Sequence, residues 1–476
     1  MMQDTRISTD DMQFSSLSFM DEGRVFRCNG KLYRAIHAEH SKAVHRLFDS
    51  GLIDALVKEG LFVPSWIADC TIDGFDLVVE HQIVDVVSYP REWSFSMLKD
   101  AALLVLKINE IANEFGYQTK DCHGYNVLFA GERPVYIDLG SFIPFRAKGV
   151  TLLSLDEFLR SYYFPIKIWV SVGEAWGKKA VPRPALLLDT EDYLRCRWPV
   201  FRWTIADPVG KLVSKICQVF SCTDEQFSEA KKRHTAWKGY LGERCRSLGM
   251  FFASIQRLRR NVQKARRKAG KTLWSDYHDS FTQQNGEITL TPRFQYIADI
   301  LISLKISSIL EIAGNQGVLS RALKRMNPGL CVTCTDADEA ALDKGYCSSK
   351  GDGIGINWAV LNPFFTELAT VEESPSLRFQ ADAVVAMALS HHLVLTRGLR
   401  LEWVIDLLSQ YCRNYLLIEF MPLGLYIGPK SPPTPTWYTQ EWFQGEFEKR
   451  FNVMSCTRLE ENRVLFVGSK KVMDRS

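Results

Sequence analysis

The chain has 476 residues, 46% of them hydrophobic and 24% charged, which is a globular composition too long for one ordinary core, so two or three domains are expected. Its formal net charge of +3 is too small to argue for nucleic acid. No apolar run reaches the ~20 residues of a membrane span, and the polar opening MMQDTRISTDDMQ lacks the basic and apolar regions of a secretory signal; a cytoplasmic protein is expected. The twelve cysteines follow no regular spacing and read as reduced thiols. Cys331 and Cys334 have C-x-x-C spacing, but they lie in the strand-like run CVTCTD with no second Cys or His pair nearby, so no metal is expected there.

In chain order, residues 1–22 read as a loose tail. From Gly23 to about Pro90, short β-like runs (RVFR, KLYRAI, FDLVVEH) surround one helix-like piece, SKAVHRLFDSGLIDALVKEG. A long helix is expected over SFSMLKDAALLVLKINEIANEFG, with Gly116 closing it. The stretch KDCHGYNVLFAGERPVYIDLGS follows, then a mostly helical, aromatic-rich region to about residue 250. Residues 251–285 form a basic helical linker. Within it, RLRRNVQKARRKAGK carries Arg257, Arg259, Arg260, Lys264, Arg266, Arg267, Lys268 and Lys271, either as a solvated connector or as a contact for an anionic partner.

From residue 286 to 476 the pattern changes to strand alternating with helix: SSILEIA, CVTCTD, INWAVL, ADAVVAMAL and YLLIEF. Buried-type strands separated by helices imply an α/β fold with a mostly parallel sheet covered on both faces. The closing NVMSCTRLEENRVLFVG reads as an antiparallel hairpin at its edge. The first strand runs into the turn GNQG and then a helix, a geometry in which backbone N–H groups approach a ligand closely. Asp336 ends the second strand, where an acid can accept from both hydroxyls of a ribose. The turn lacks the G-x-G-x-x-G of a dinucleotide site; a Rossmann-like sheet with no cofactor is the plainer alternative.

Glu311-Ile-Ala-Gly-Asn-Gln-Gly317 together with Asp336 resembles the class I S-adenosylmethionine-dependent methyltransferases. The resemblance implies a Rossmann-like, seven-stranded sheet whose last two strands are the terminal hairpin. It also implies that Glu311, Ala313, Gly314, Asn315 and Gly317 line the methionine end of the cofactor while Asp336 holds the ribose. Ala313 stands where the family usually has glycine, a mild steric change. In INWAVLNP, Ala359 stands where related chains carry an adenine-binding acid, leaving Asn362 or backbone groups for that contact. His391, His392 and Glu419 fall at the carboxyl ends of the fourth and fifth strands. They are candidate bases for a hydroxyl acceptor, with structural packing as the alternative. The Pro- and aromatic-rich loop GLYIGPKSPPTPTWYTQEWF is a candidate cover for a small-molecule or saccharide acceptor.

Asp121, Asn126 and Asp138 have the spacing of a phosphoryl-transfer site: D-x-x-x-x-N, a hairpin, then D-L-G. Residues 23–250 thus resemble a protein-kinase-like α+β domain of the aminoglycoside-phosphotransferase branch, with a small lobe over 23–90 and a helical lobe over 91–250. ATP and Mg²⁺ are the ligands that resemblance implies. Its glycine-rich loop is missing, and the strand that should present a phosphate-binding lysine offers Arg34, or Lys31 at its start, so a non-catalytic domain is expected. Across nearly its whole length the chain is similar to the NoeA-type nodulation proteins, which implies a bacterial, nodulation-related protein; a lipo-chitooligosaccharide or its sugar precursor fits that setting as acceptor. Three functions stay open: a methyltransferase with a kinase-like acceptor-positioning domain, a bifunctional kinase and methyltransferase, and a regulatory protein with degenerate nucleotide sites.

Overall fold

A computed structural model of the chain describes residues 5–15, 23–145, 152–181, 188, 192–193, 254–267, 272, 288–366, 372–426, 428, 431 and 433–472. Most of the aromatic-rich stretch before residue 250, and Lys268 and Lys271, lie outside them. Strands β1 (Gln13–Phe14), β2 (Gly23–Cys28), β3 (Lys31–Ile36), β4 (Ser65–Ile67) and β5 (Leu77–His81) make an antiparallel sheet in the order β1-β2-β3-β5-β4. Asn29 and Gly30 turn β2 into β3 with φ of 49° and 76°, the double left-handed geometry of a tight hairpin, whose twist matches its strands. The register sets Val25, Arg34 and Val79 on one face, with Leu32, His81 and Ser65 in the neighbouring row. The opposite face packs Phe26, Tyr33, Ala35 and Val78 against Met12 and Ile72.

Residues 5–15 therefore differ from the expected loose tail. Gln13–Phe14 is an edge strand, and Thr5–Ile7 runs parallel to Cys70–Ile72, because the outer sheet face is apolar and Met12 covers it. The single helix-like piece is two helices, α1 (Ala38–Asp49) and α2 (Leu52–Lys58), divided at Gly51 with φ 78°.

Helix α3 (Phe95–Glu114) is buried along nearly every face, from Leu98 and Ala101 to Ile108 and Ala112. A helix apolar all round needs partners on several sides, and α3 finds them in both halves of the chain. After it come β6 (Tyr117–Thr119), the hairpin of β7 (Val127–Ala130) and β8 (Arg133–Tyr136), and β9 (Phe142–Pro144), which returns to pair with β6. Part of the basic segment is helix α4 (Ile255–Lys264), which packs on α3 and buries Ile255, Leu258 and Val262. Arg259 pairs with Glu110 at 2.8 Å, and Arg267 with Glu339 at 2.7 Å. The segment is thus docked rather than a solvated connector, since every third or fourth residue of the helix is apolar; Arg257, Arg260, Lys264 and Arg266 stay exposed.

Beyond α5 (Pro292–Ser303) the chain alternates β10 (Ser308–Ile312), α6 (Val318–Met326), β11 (Cys331–Asp336), α7 (Glu339–Asp352), β12 (Asn357–Val360), β13 (Ala381–Ala386), α8 (Leu401–Tyr411), β14 (Cys412–Phe420), α9 (Gln440–Phe447), β15 (Phe451–Glu460) and β16 (Arg463–Lys470). The strands form one seven-stranded sheet in the order β12-β11-β10-β13-β14-β16-β15. The first five are parallel, and β16 and β15 are antiparallel. The order reverses on either side of β10, and the carboxyl ends of β10 and β13 are thus the switch point at which open α/β sheets bind ligands.

The two halves share one apolar core, in which Leu98, Val105, Ile108 and Phe129 pack in the same cluster as Leu323, Tyr346 and Trp358. Gly131, at φ 63°, lies so close to Gly355 that an added Cβ would stand 2.9 Å from its Cα. Beside this crossing the buried carboxylate of Glu132 accepts from Ser349 Oγ at 2.7 Å, Ile356 N at 2.8 Å and Gly355 N at 2.9 Å. The N-terminus of α3 is capped from both halves. Ser94 Oγ accepts from Met97 N, while Glu339 accepts from Phe95 N at 2.8 Å and Asp343 from Ser96 N at 2.9 Å, satisfying amides that no helical carbonyl reaches. Arg378 adds a two-pronged pair with Glu92, at 2.6 and 2.8 Å. Among the described residues no helix is long and apolar enough to cross a membrane.

Candidate functional site

At the carboxyl end of β10 the chain turns through Ala313, Asn315 and Gly317 with φ of 58°, 55° and 62°. Ala313 is thus more than a mild steric departure, because a Cβ in the left-handed region costs about 1–2 kcal/mol. The glycines of the turn answer to packing beneath it. A Cβ on Gly314 would meet Cys334 Sγ at 2.5 Å, and one on Gly317 would meet the Trp358 ring at 2.5 Å. Trp358 also lies against Gly345 and donates its indole N–H to Ser349 at 3.0 Å. Cys331 and Cys334 are three apart on one strand and face opposite sides.

Two carboxylates sit under and beside this turn. Glu311 accepts from Ser320 N at 3.1 Å and from Ser320 Oγ, yet burial outweighs these bonds and pushes it up to about 7. Asp336 accepts from Asn315 N and Asp338 N, both at 2.7 Å, and burial pushes it up to about 6. Neither pairs with a Lys or Arg side chain among the described residues. Each oxygen of Asp336 takes one backbone N–H and keeps acceptor capacity. The expected adenine contact is placed less simply. Asn362 is exposed at the end of β12 and its Oδ1 accepts from Phe364 N at 3.1 Å. Ala359 is fully buried in apolar packing with Leu310 and Val384, a position where an acid would be desolvated.

The carboxyl ends of β13 and β14 carry the other candidates. His391 is 5% exposed, its ring 4.1 Å from that of His392. Burial first, then His392 and Arg463, hold His391 down to about 3, and burial lowers His392. Both imidazoles are therefore neutral near pH 7 and weak as bases. Nδ1 of His391 is buried without a hydrogen-bond partner among the described residues. Glu419, expected as a second base, is fully buried and held by Arg293 at 3.0 Å, Arg463 at 2.8 Å and Ala388 N at 2.9 Å. With both oxygens in ion pairs it fastens α5 and β16 to the end of β14. The arginines lie 126 and 44 residues away in sequence, too far for any local pattern to announce them.

In the N-terminal half the four residues named from the sequence come together. Asn126 Nδ2 donates to Asp121, and Arg34 donates to Asp138 Oδ1 at 3.2 Å across 104 residues. Asp138 Oδ1 also accepts from Gly140 N at 3.2 Å. Burial, then the charge of Asp138, pushes Asp121 up to about 6. Lys31, the alternative cation, points instead to Glu80. Sequence reading missed His81. Ser65 Oγ donates to Val63 O at 2.8 Å and lies 2.7 Å from His81 Nδ1, so Nδ1 carries the proton and Nε2 is a bare acceptor. Burial holds this imidazole down to about 3. His81 Nε2 and Arg34 Nε are buried without hydrogen-bond partners among the described residues.

The chain is similar to the nodulation protein NoeA of Rhizobium meliloti (strain 1021), at 25% identity over 427 residues, 85% of this chain and 84% of that protein. No family model matches it. Among solved structures it resembles the PH0226 protein of Pyrococcus horikoshii OT3 (14% identity, 42% of this chain and 100% of that one, TM-score 0.31). It also resembles an O-methyltransferase family protein of Burkholderia thailandensis (14%, 38% and 55%, TM-score 0.28). A third is a SAM-dependent methyltransferase of Aquifex aeolicus (14%, 38% and 100%, TM-score 0.28).

Proposed function

We propose that the C-terminal half, residues 286–476, is an S-adenosylmethionine-dependent methyltransferase, and that the kinase-like half, residues 23–250, is non-catalytic and helps to seat the acceptor. One observation carries the first part: two buried carboxylates without cationic partners among the described residues, Glu311 and Asp336, flank a left-handed turn at the point where the strand order reverses. That donor set fits a cationic cofactor bearing vicinal hydroxyls. Asp336 would accept from the ribose, the turn Ala313–Gly317 would border the methionine end, and Asn362 would border the base. When bound, the cofactor supplies a methyl group on a sulfonium.

The remaining work falls to alignment, because methyl transfer is an in-line displacement. His391 and His392 stand where an acceptor would enter. As neutral imidazoles they hold and orient a hydroxyl, accepting its hydrogen bond, rather than acting as strong bases. Glu419 positions β14 and the histidine turn: Ser390 Oγ donates to its carbonyl at 2.6 Å. The name of the relative NoeA supports a link to nodulation; a small molecule or saccharide is the acceptor class in this reading. The deciding experiment is calorimetry of S-adenosylhomocysteine with the full chain and with Asp336→Ala. Micromolar binding, about 8 kcal/mol, abolished in the variant, supports the reading; no heat with the unaltered chain defeats it.

A further inference from the structure

We propose that Arg34 is the built-in cation of the N-terminal acidic site. It stands on Asp138 in place of a divalent metal, and the cleft takes an anionic, phosphate-bearing ligand metal-free. This rests on the kinase-like reading of that half and departs from the Mg²⁺ such a site implies.

The donor set fits a magnesium ion poorly. A metal at this place would draw on Asp138 and the oxygen of Asn126, with phosphate oxygens completing an octahedron. Asp138 Oδ1 is already shared by the Arg34 guanidinium and Gly140 N, so a full positive charge occupies the carboxylate on which a metal would depend. Asn126 gives its amide N–H to Asp121, and its oxygen alone is too little to hold a dication against that charge. Among the described residues no three His, Cys, Asp or Glu side chains converge as metal ligands. A dication on Asp138 would sit against a guanidinium that cannot lose its proton.

Arg34 is also placed to do more than neutralise. Its side chain leaves the same face of the antiparallel sheet as Leu32 and Val79, with His81 directly opposite Leu32. Among the described residues its Nε–H is a buried donor with no partner, and His81 Nε2 is a buried acceptor with none. Were the sheet to part from its cover there, Arg34 would offer a charged donor to an anionic oxygen and His81 Nε2 an acceptor to a hydroxyl or amine, a description that nucleoside phosphates meet.

The test uses the full chain and two readouts. Mn²⁺ alone is titrated by electron paramagnetic resonance into the unaltered protein, Arg34→Gln, Arg34→Lys, and the double variant Arg34→Gln with Asp138→Asn; circular dichroism checks folding. Expected are no Mn²⁺ bound below millimolar in the unaltered chain or in Arg34→Lys, at least a tenfold gain in affinity in Arg34→Gln, and loss of that gain in the double variant. Micromolar Mn²⁺ on the unaltered chain, or no gain in a folded Arg34→Gln, overturns the proposal. Calorimetry with ADP in excess EDTA supplies the second readout. Binding equal with and without Mg²⁺ supports metal-free uptake, and binding that requires Mg²⁺ overturns it. Absence of ADP binding in both defeats metal-free uptake together with the nucleotide reading of this half, while the Mn²⁺ series separately decides whether Arg34 is what excludes the metal.

Discussion

The phenol of Tyr125 donates to Glu372 at 2.7 Å across 247 residues, tying the loop of Asp121 and Asn126 to the segment that leads into β13. Arg91 holds the same carboxylate, and Tyr89 lies against Tyr125 with ring centroids 5.5 Å apart. Tyr125→Phe removes a hydrogen bond to a charged group and leaves Glu372 its arginine. The expected cost is about 2 kcal/mol, read as a lower urea midpoint with an unchanged m-value.

Glu311 makes the stability of the ligand-free protein depend on pH. Its carboxyl is pushed up to about 7 by burial from an ordinary value near 4.5, so the folded state favours the protonated form. The stability this provides is complete below about pH 4.5 and is lost as pH rises towards 7. Glu311→Gln keeps an acceptor for Ser320 and cannot ionise. Its stability relative to the unaltered protein, followed through the thermal midpoint, is expected to climb between pH 5 and 7, by about 1.4 kcal/mol for each pH unit crossed. A constant difference across that range would contradict this account.

The turn after β10 offers opposite responses at adjacent residues. Ala313→Gly relieves a left-handed alanine and is expected to stabilise by about 0.5–1 kcal/mol net of the added chain entropy. Gly314→Ala drives a methyl to 2.5 Å from Cys334 Sγ and is expected to destabilise by about 1–3 kcal/mol. Equilibrium denaturation of the two variants reads both signs.

Glu132 joins the halves through three donors and is 4% exposed. Glu132→Ala leaves the Gly355 and Ile356 amides unmatched and Ser349 Oγ only its longer bond to Tyr346 O at 3.4 Å, at about 3 kcal/mol. Hydrogen exchange is expected to show lost protection at the end of α7 and the start of β12, since the orphaned donors lie on α7 and in the loop leading into β12.

The strands and helices of the C-terminal sheet were legible because period and run length report burial directly. The local setting of Glu311 and of the Asp121–Asn126 loop follows from partners 9 and 5 residues away, within reach of a sequence pattern; Asp336 is held in part by Asn315, 21 residues away. What escaped depends on distant partners. Glu419 looked like a base until Arg293 and Arg463 converged on it. The basic run looked like a connector although Leu258 and Val262 already marked a packing face. The alanine at 313 looked tolerable because composition does not reveal φ. His81 carried no motif at all; its Nε2 became notable only once Ser65 fixed the tautomer.

The capping of α3 reaches beyond stability. A chain cut between the halves would leave one piece with two bare amides at a helix start and the other with the carboxylates of Glu339 and Asp343 lacking those donors. Each fragment would hold the missing part of the other. Separately expressed halves are therefore expected to complement on mixing, and neither half is suited to exchange with an unrelated partner that lacks the matching caps.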